Sequence, residues 1–131
     1  MSVFVDTSAL YAALDADDDA HSRALDGWSE LITAKTPLIT SNYVCVESAA
    51  LLQARLGMEA VRAMFDDLLP VVTVMLIEEA VHAQAVATFL DANRRRLSLV
   101  DCASFAVMRQ HGVSSAFAFD PHFEERGFRL V

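Results

Sequence analysis

Four short apolar runs recur along this chain, each followed by a stretch whose apolar residues fall at helical spacing. They cover residues 2–6 (SVFVD), 37–41 (PLITS), 71–75 (VVTVM) and 114–120 (SSAFAFD), and FRLV at 128–131 reads as a fifth. Strands separated by helices pair in parallel through right-handed crossovers, which places helices on both faces of one sheet. The expected class is α/β with a mostly parallel sheet.

Residues 8–34 read as one or two helices, broken around the acidic DADDD at 15–19. A helix over 42–57 closes at Gly57, another spans about 58–68 and stops at Pro70, and two more cover 77–96 and 98–112. Glycine suits the left-handed residue that follows a helix, and proline cannot continue one. No repeat or linker interrupts the pattern. With 131 residues, 54% of them hydrophobic, the chain suits a single domain, 1–131, with a substantial core.

This topology makes a prediction about the acids. Parallel strands all end at one edge of the sheet, and the helices that follow begin there, where ligands usually bind. Asp6 and Asp120 are expected at strand ends, Asp101 in the first turn of one helix and Glu47 in the second turn of another. All four then belong to one rim.

Each acid also has a local role open to it. Asp6 can make a turn before Ser8, Asp120 can cap a helix that begins at Pro121, and SLVD (98–101) fits a capping box. Glu47 shares a helix face with Tyr43, Val44, Ala50 and Leu51, so its charge calls for a cation or an ion pair with a nearby arginine.

Ten basic residues against eighteen acidic ones give a net charge of −8, opposite to the usual footprint of a nucleic-acid binder. A polyanionic substrate then needs a local basic patch or bound cations. Four carboxylates on one rim also repel each other, which favours a cation between them. Hard oxygen ligands without His or Cys at metal spacing suit Mg²⁺ or Mn²⁺ better than Zn²⁺. A strand that ends on Asp6 supplies a better ligand than one that ends on Asn.

VFVDTSAL at the start, Glu47 in a helix after a short strand, LSLVDCASFAVMRQHG and AFAFDPHFEERGF together resemble the PIN-domain family. The chain's size is similar to that of the VapC-type toxins of bacterial toxin–antitoxin pairs, and the resemblance covers nearly all of it. It implies a three-layer α/β/α sandwich with a four- to five-stranded central sheet. It implies a Mg²⁺- or Mn²⁺-dependent endoribonuclease, with metal-binding and catalytic roles for Asp6, Glu47, Asp101 and Asp120 and a minor contribution from Thr7 or Ser8. The partners it implies are an RNA substrate, a cognate antitoxin whose tail covers the acidic cleft, and a second copy in a homodimer. Water activated by the metal leaves products with a 5′-phosphate and a 3′-hydroxyl.

Other classes compete with this one. A haloacid dehalogenase wants a second acid two residues after the first, where this chain has Ser8, and a receiver domain wants a late-strand lysine, whereas the one lysine is Lys35. A catalytically silent module that uses the acidic rim to recruit a partner is the alternative reading.

RRR at 94–96 is expected at a helix C-terminus, where the helix dipole favours cations, with phosphate contact as its other reading. DADDD lacks the glycine and distal glutamate of an EF-hand and reads as a solvated loop. His21, His82, His111 and His122 form no recognisable triad and are expected to be ordinary surface or core residues. Cys45 and Cys102 suit buried free thiols in a reducing compartment. The N-terminus lacks a basic leader region, and LLPVVTVMLI (68–77) is too short for a membrane span, so a cytoplasmic protein without membrane contact is expected.

Overall fold

The computed structural model describes residues 1–131. Its strands are β1 (Val3–Val5), β2 (Leu38–Ser41), β3 (Thr73–Met75), β4 (Ser115–Phe117) and β5 (Arg129–Leu130). Its helices are α1 (Thr7–Leu14), α2 (His21–Thr33), α3 (Asn42–Arg55), α4 (Met58–Ala63), α5 (Glu79–Ala92), α6 (Leu99–Gln110) and α7 (His122–Glu125). The strands form one all-parallel sheet in the order β3-β2-β1-β4-β5, the middle layer of a three-layer α/β/α sandwich. No helix is long and apolar enough to cross a membrane.

The first strand made is the middle strand of the sheet. Val3, Phe4 and Val5 pair with Ser115, Ala116 and Phe117 of β4, while Val3 and Phe4 pair with Leu38 and Ile39 of β2. With both faces covered, β1 is apolar without alternation, as buried parallel strands are.

Aromatic packing locks the ends of the chain together. Phe123 of α7 is fully buried, edge-on to Phe105 of α6 at 5.2 Å and 6.4 Å from Phe4 of β1. Phe117 meets Trp28 of α2 edge-on at 5.4 Å. Helix α6 is buried continuously from Asp101 to Met108 and runs through the core.

Several boundaries differ from the sequence expectation. The fourth strand ends at Phe117, because the N–H of Phe119 is taken by the Ser8 hydroxyl at 2.9 Å instead of continuing the ladder. Asp120 therefore lies three residues beyond the strand rather than at its end. The helix after Gly57 continues as a π-helical turn (Met64–Leu68) and a 3₁₀ turn (Leu69–Val71) that includes Pro70. Proline is tolerated in a first turn, so it does not stop the chain there, and β3 starts only at Thr73.

Helix α5 stops at Ala92, where Asn93 adopts a left-handed conformation (φ 49°, ψ 43°) that asparagine tolerates better than most residues. The three arginines at 94–96 thus follow the helix instead of ending it. Cys45 and Cys102 are free thiols, the second fully buried.

Candidate active site

A cavity of about 590 Å³ opens at the C-terminal edge of the sheet, and Asp6, Glu47, Asp101 and Asp120 all line it. The three aspartates are held in the same way. Asp6, at the N-cap of α1, accepts the Ser8 N–H at 3.1 Å and the Ser8 hydroxyl at 2.6 Å, both through Oδ2. Asp101 Oδ2 accepts the N–H of Ser98 at 3.1 Å, and Ser98 Oγ accepts the N–H of Asp101 at 3.0 Å, which completes the capping box. Asp120 Oδ1 accepts the N–H of His122 at 2.9 Å. In each case a local backbone bond fixes one carboxylate oxygen and leaves the other without a hydrogen bond. The capping roles open to these residues and a role in the cavity are therefore compatible.

Ser8 ties two strand ends together. Its hydroxyl donates to Asp6 and accepts from the Phe119 N–H, while the Asp6 N–H donates to the Phe117 carbonyl at 3.0 Å. Thr7 also lines the cavity, and its hydroxyl accepts from Ser48 of α3 at 3.2 Å.

Burial sets the electrostatics. Asp6 is pushed up to about 7 chiefly because it is buried, and the negative charges of Asp101 and Asp120 add to the rise against the opposing Ser8 hydrogen bonds. Asp101 and Glu47 are also raised, chiefly by burial. No arginine or lysine lies within ion-pair distance of Glu47, so the ion pair that was open to it does not form.

His122 is the residue that sequence reasoning missed. Its Nδ1 lies 3.4 Å from Asp101 Oδ2 and 3.0 Å from Asp120 Oδ1, and it is buried without a hydrogen bond. Buried Phe123 beside it and the turn at Asp120 aim the ring inward. The spacing of Asp-Pro-His (120–122) was the available signal. The ligand atoms of Asp101, Asp120 and His122 lie within 4.8 Å of one another, close enough to hold one metal ion. That donor set, carboxylate oxygens with one imidazole nitrogen, is compatible with a divalent cation.

Asp18 and Asp19 also line the cavity, although Asp15 and Asp18 mainly hold the loop by accepting the N–H groups of Asp17 and Ala20. The other histidines lie elsewhere: His21 contacts the Ala12 carbonyl and His82 the Tyr43 hydroxyl.

The PIN domain model matches residues 3–129. This chain belongs to the PIN-domain family.

Its relatives include the 23S rRNA-specific endonuclease VapC20 of Mycobacterium tuberculosis, 38% identical over 128 residues that cover 96% of this chain and 95% of the relative. The crystal structure of VapC20, described as a sarcin–ricin loop cleaving toxin, matches this PIN domain with a TM-score of 0.83 over the same shares of the two chains. Two more distant structures share the fold. FitAcB from Neisseria gonorrhoeae is 16% identical with a TM-score of 0.70, covering 99% of this chain and 96% of its own. VapBC2 from Rickettsia felis, bound to a promoter DNA fragment, is 13% identical with a TM-score of 0.71, covering 100% and 98%.

Proposed function

We propose that this PIN domain is a Mg²⁺- or Mn²⁺-dependent endoribonuclease, the toxin of a toxin–antitoxin pair, with residues 1–131 acting as one domain. The observation that carries the reading is the convergence of Asp6, Glu47, Asp101 and Asp120 on one cavity, in a chain 38% identical to an enzyme named for cutting 23S rRNA. Ribosomal RNA is the favoured substrate class.

Asp101, Asp120 and His122 form the tight group that would hold the ion, with Asp6 and Glu47 completing the site. A divalent ion held by these residues would lower the pKa of a water and offset charge on the scissile phosphate. Backbone bonds to one oxygen each of Asp6, Asp101 and Asp120 hold the three carboxylates in place at the cavity. Glu47 stands outside the tight group, and its raised carboxyl is suited to take the proton that the attacking water gives up. Water attacks the phosphorus, the P–O3′ bond breaks and the 3′-oxygen leaves and takes up a proton, so the products carry a 5′-phosphate and a 3′-hydroxyl.

The same reading gives the protein a cognate antitoxin that masks the cavity, a homodimeric state and a cytoplasmic location. Its support is the relative described as a toxin.

RNA cleavage with Mg²⁺, Mn²⁺ or excess EDTA, run beside Asp6→Asn and Asp101→Asn with the product ends identified, tests the proposal. Cleavage that needs the metal and disappears in both folded variants is the expected result. Cleavage indifferent to EDTA and to both substitutions would sink it.

A further inference from the structure

Six carboxylates line the cavity, Asp18 and Asp19 joining the four already described, and a phosphate chain entering it meets that charge in a protein with a net charge of −8. Only two of the lining side chains are basic, Arg23 and Arg96. They come from different parts of the chain, Arg23 from α2 and Arg96 from the turn between α5 and α6. Both are exposed, and neither pairs with an acid; the one arginine ion pair in the molecule joins Arg94 to Glu125 at 3.2 Å. Two guanidinium groups at an acidic cavity therefore keep their donors free.

Their supports hold them beside the centre. The Arg23 guanidinium sits over the Phe119 ring, 5.1 Å from its centroid, and Phe119 is fixed by the Ser8 bond and directly precedes Asp120. A guanidinium stacked in this way keeps its N–H edge available for a planar anion. Arg96 is followed by Leu97, which is fully buried, and then by Ser98, whose N–H holds Asp101. Arg23 thus rests on the ring of the residue that precedes Asp120, Arg96 lies in the turn that leads to the Ser98–Asp101 capping box, and both line the same cavity as the two aspartates.

Resting on the ribonuclease reading, we propose that Arg23 and Arg96 bind the RNA phosphates that flank the scissile one, one on the Asp120 side and one on the Asp101 side. Arginine binds phosphate through paired N–H groups, and unpaired arginines at the cavity supply the local positive charge that the chain lacks overall. They are positioning residues, which set where the strand lies while the acids do the chemistry.

The test measures binding of a fluorescein-labelled 23S rRNA fragment containing the sarcin–ricin loop by anisotropy across a salt series. The protein carries Asp6→Asn, so that the probe survives, and Mg²⁺ is present throughout. Arg23→Ala and Arg96→Ala are each expected to weaken binding roughly threefold or more and to flatten the log–log salt slope by about 0.7. Arg23→Lys and Arg96→Lys should recover the slope, and Arg62→Ala, on α4 away from the cavity, should leave it alone. Circular dichroism checks that every variant is folded.

A parent that binds with a clear salt slope, alongside alanine variants that bind identically, overturns the proposal alone and turns both arginines toward carboxylates of a protein partner. An equal loss in Arg62→Ala overturns it as well, since the effect would then be general charge. If the parent shows no binding and the unsubstituted protein cuts no RNA, the ribonuclease reading falls and takes the proposal with it.

Discussion

His122 Nδ1 lies 3.4 Å from Asp101 Oδ2, although one residue opens the last helix and the other sits in the first turn of α6. The packing of Phe123 on Phe105 explains the meeting, since it clamps α7 onto α6 immediately beside both residues. The imidazole is thereby held against two carboxylates with no hydrogen bond of its own.

His122→Ala should therefore weaken Mn²⁺ binding by about tenfold or more, the range found when groups supporting a metal site are removed. Calorimetric titration of the folded variant with Mn²⁺ checks it. Unchanged affinity would make the histidine a structural neighbour only.

Ser8→Ala removes a donor to Asp6 and leaves the Phe119 N–H without its acceptor. The expected cost is about 1–3 kcal/mol in urea unfolding, with the Asp6 carboxyl raised further because a bond that lowers it is gone. Ser8→Thr keeps the hydroxyl and should recover most of the loss.

Stability of the metal-free protein should rise on acidification. Asp6 has a folded value of about 7 against 3.8 for the free side chain, so between those values the folded state holds more protons than the unfolded state. The penalty is absent below 3.8, grows as pH rises toward 7 and is complete above it. Glu47 and Asp101 act in the same direction. In EDTA, the urea midpoint should increase from about pH 8 to about pH 5, and Asp6→Asn should remove roughly 2–4 kcal/mol of that dependence. A variant that follows the parent's profile would show that Asp6 is not the source.

Gly27→Ala should destabilise the protein despite the better helix propensity of alanine. A Cβ at this position comes within 2.8 Å of Phe117 Cε1 and 2.9 Å of Cζ. That ring is fully buried between Trp28 and Phe119 and has little room to yield. Overpacking of this kind costs about 1–3 kcal/mol, more than the roughly 1 kcal/mol gained in the helix. Thermal unfolding checks the sign, and adding Phe117→Leu should return part of the loss.

The strands and the rim acids were legible because their signals are local. Apolar runs that end in Asp, Ser98 three residues before Asp101, and alternation with helices all follow from residues close together in sequence. The unread parts depend on distant contacts. Phe119 leaves the ladder because Ser8, 111 positions away, takes its N–H. His122 enters the site because Phe123 packs on Phe105 and Phe4. The arginines at 94–96 were placed at a helix end, and the left-handed turn at Asn93 was not foreseen. The resemblance to PIN domains carried the four acids as a set, but it carried no information about Arg23 or Arg96.

Strand order also sets a timetable. β1 leaves the ribosome before the other four strands, yet its neighbour β4 and the turn bearing Asp120 and His122 follow only after β2, β3 and most of the helices. Until β4 follows, a nascent chain carries Asp6 without the Phe117 carbonyl and Phe119 N–H that fix the end of its strand. The cavity that gathers the four acids is therefore complete only once residues 115–122 have emerged. Ribosome-stalled chains of graded length should acquire activity only after residues 115–122 have left the tunnel; activity in shorter chains would contradict this order.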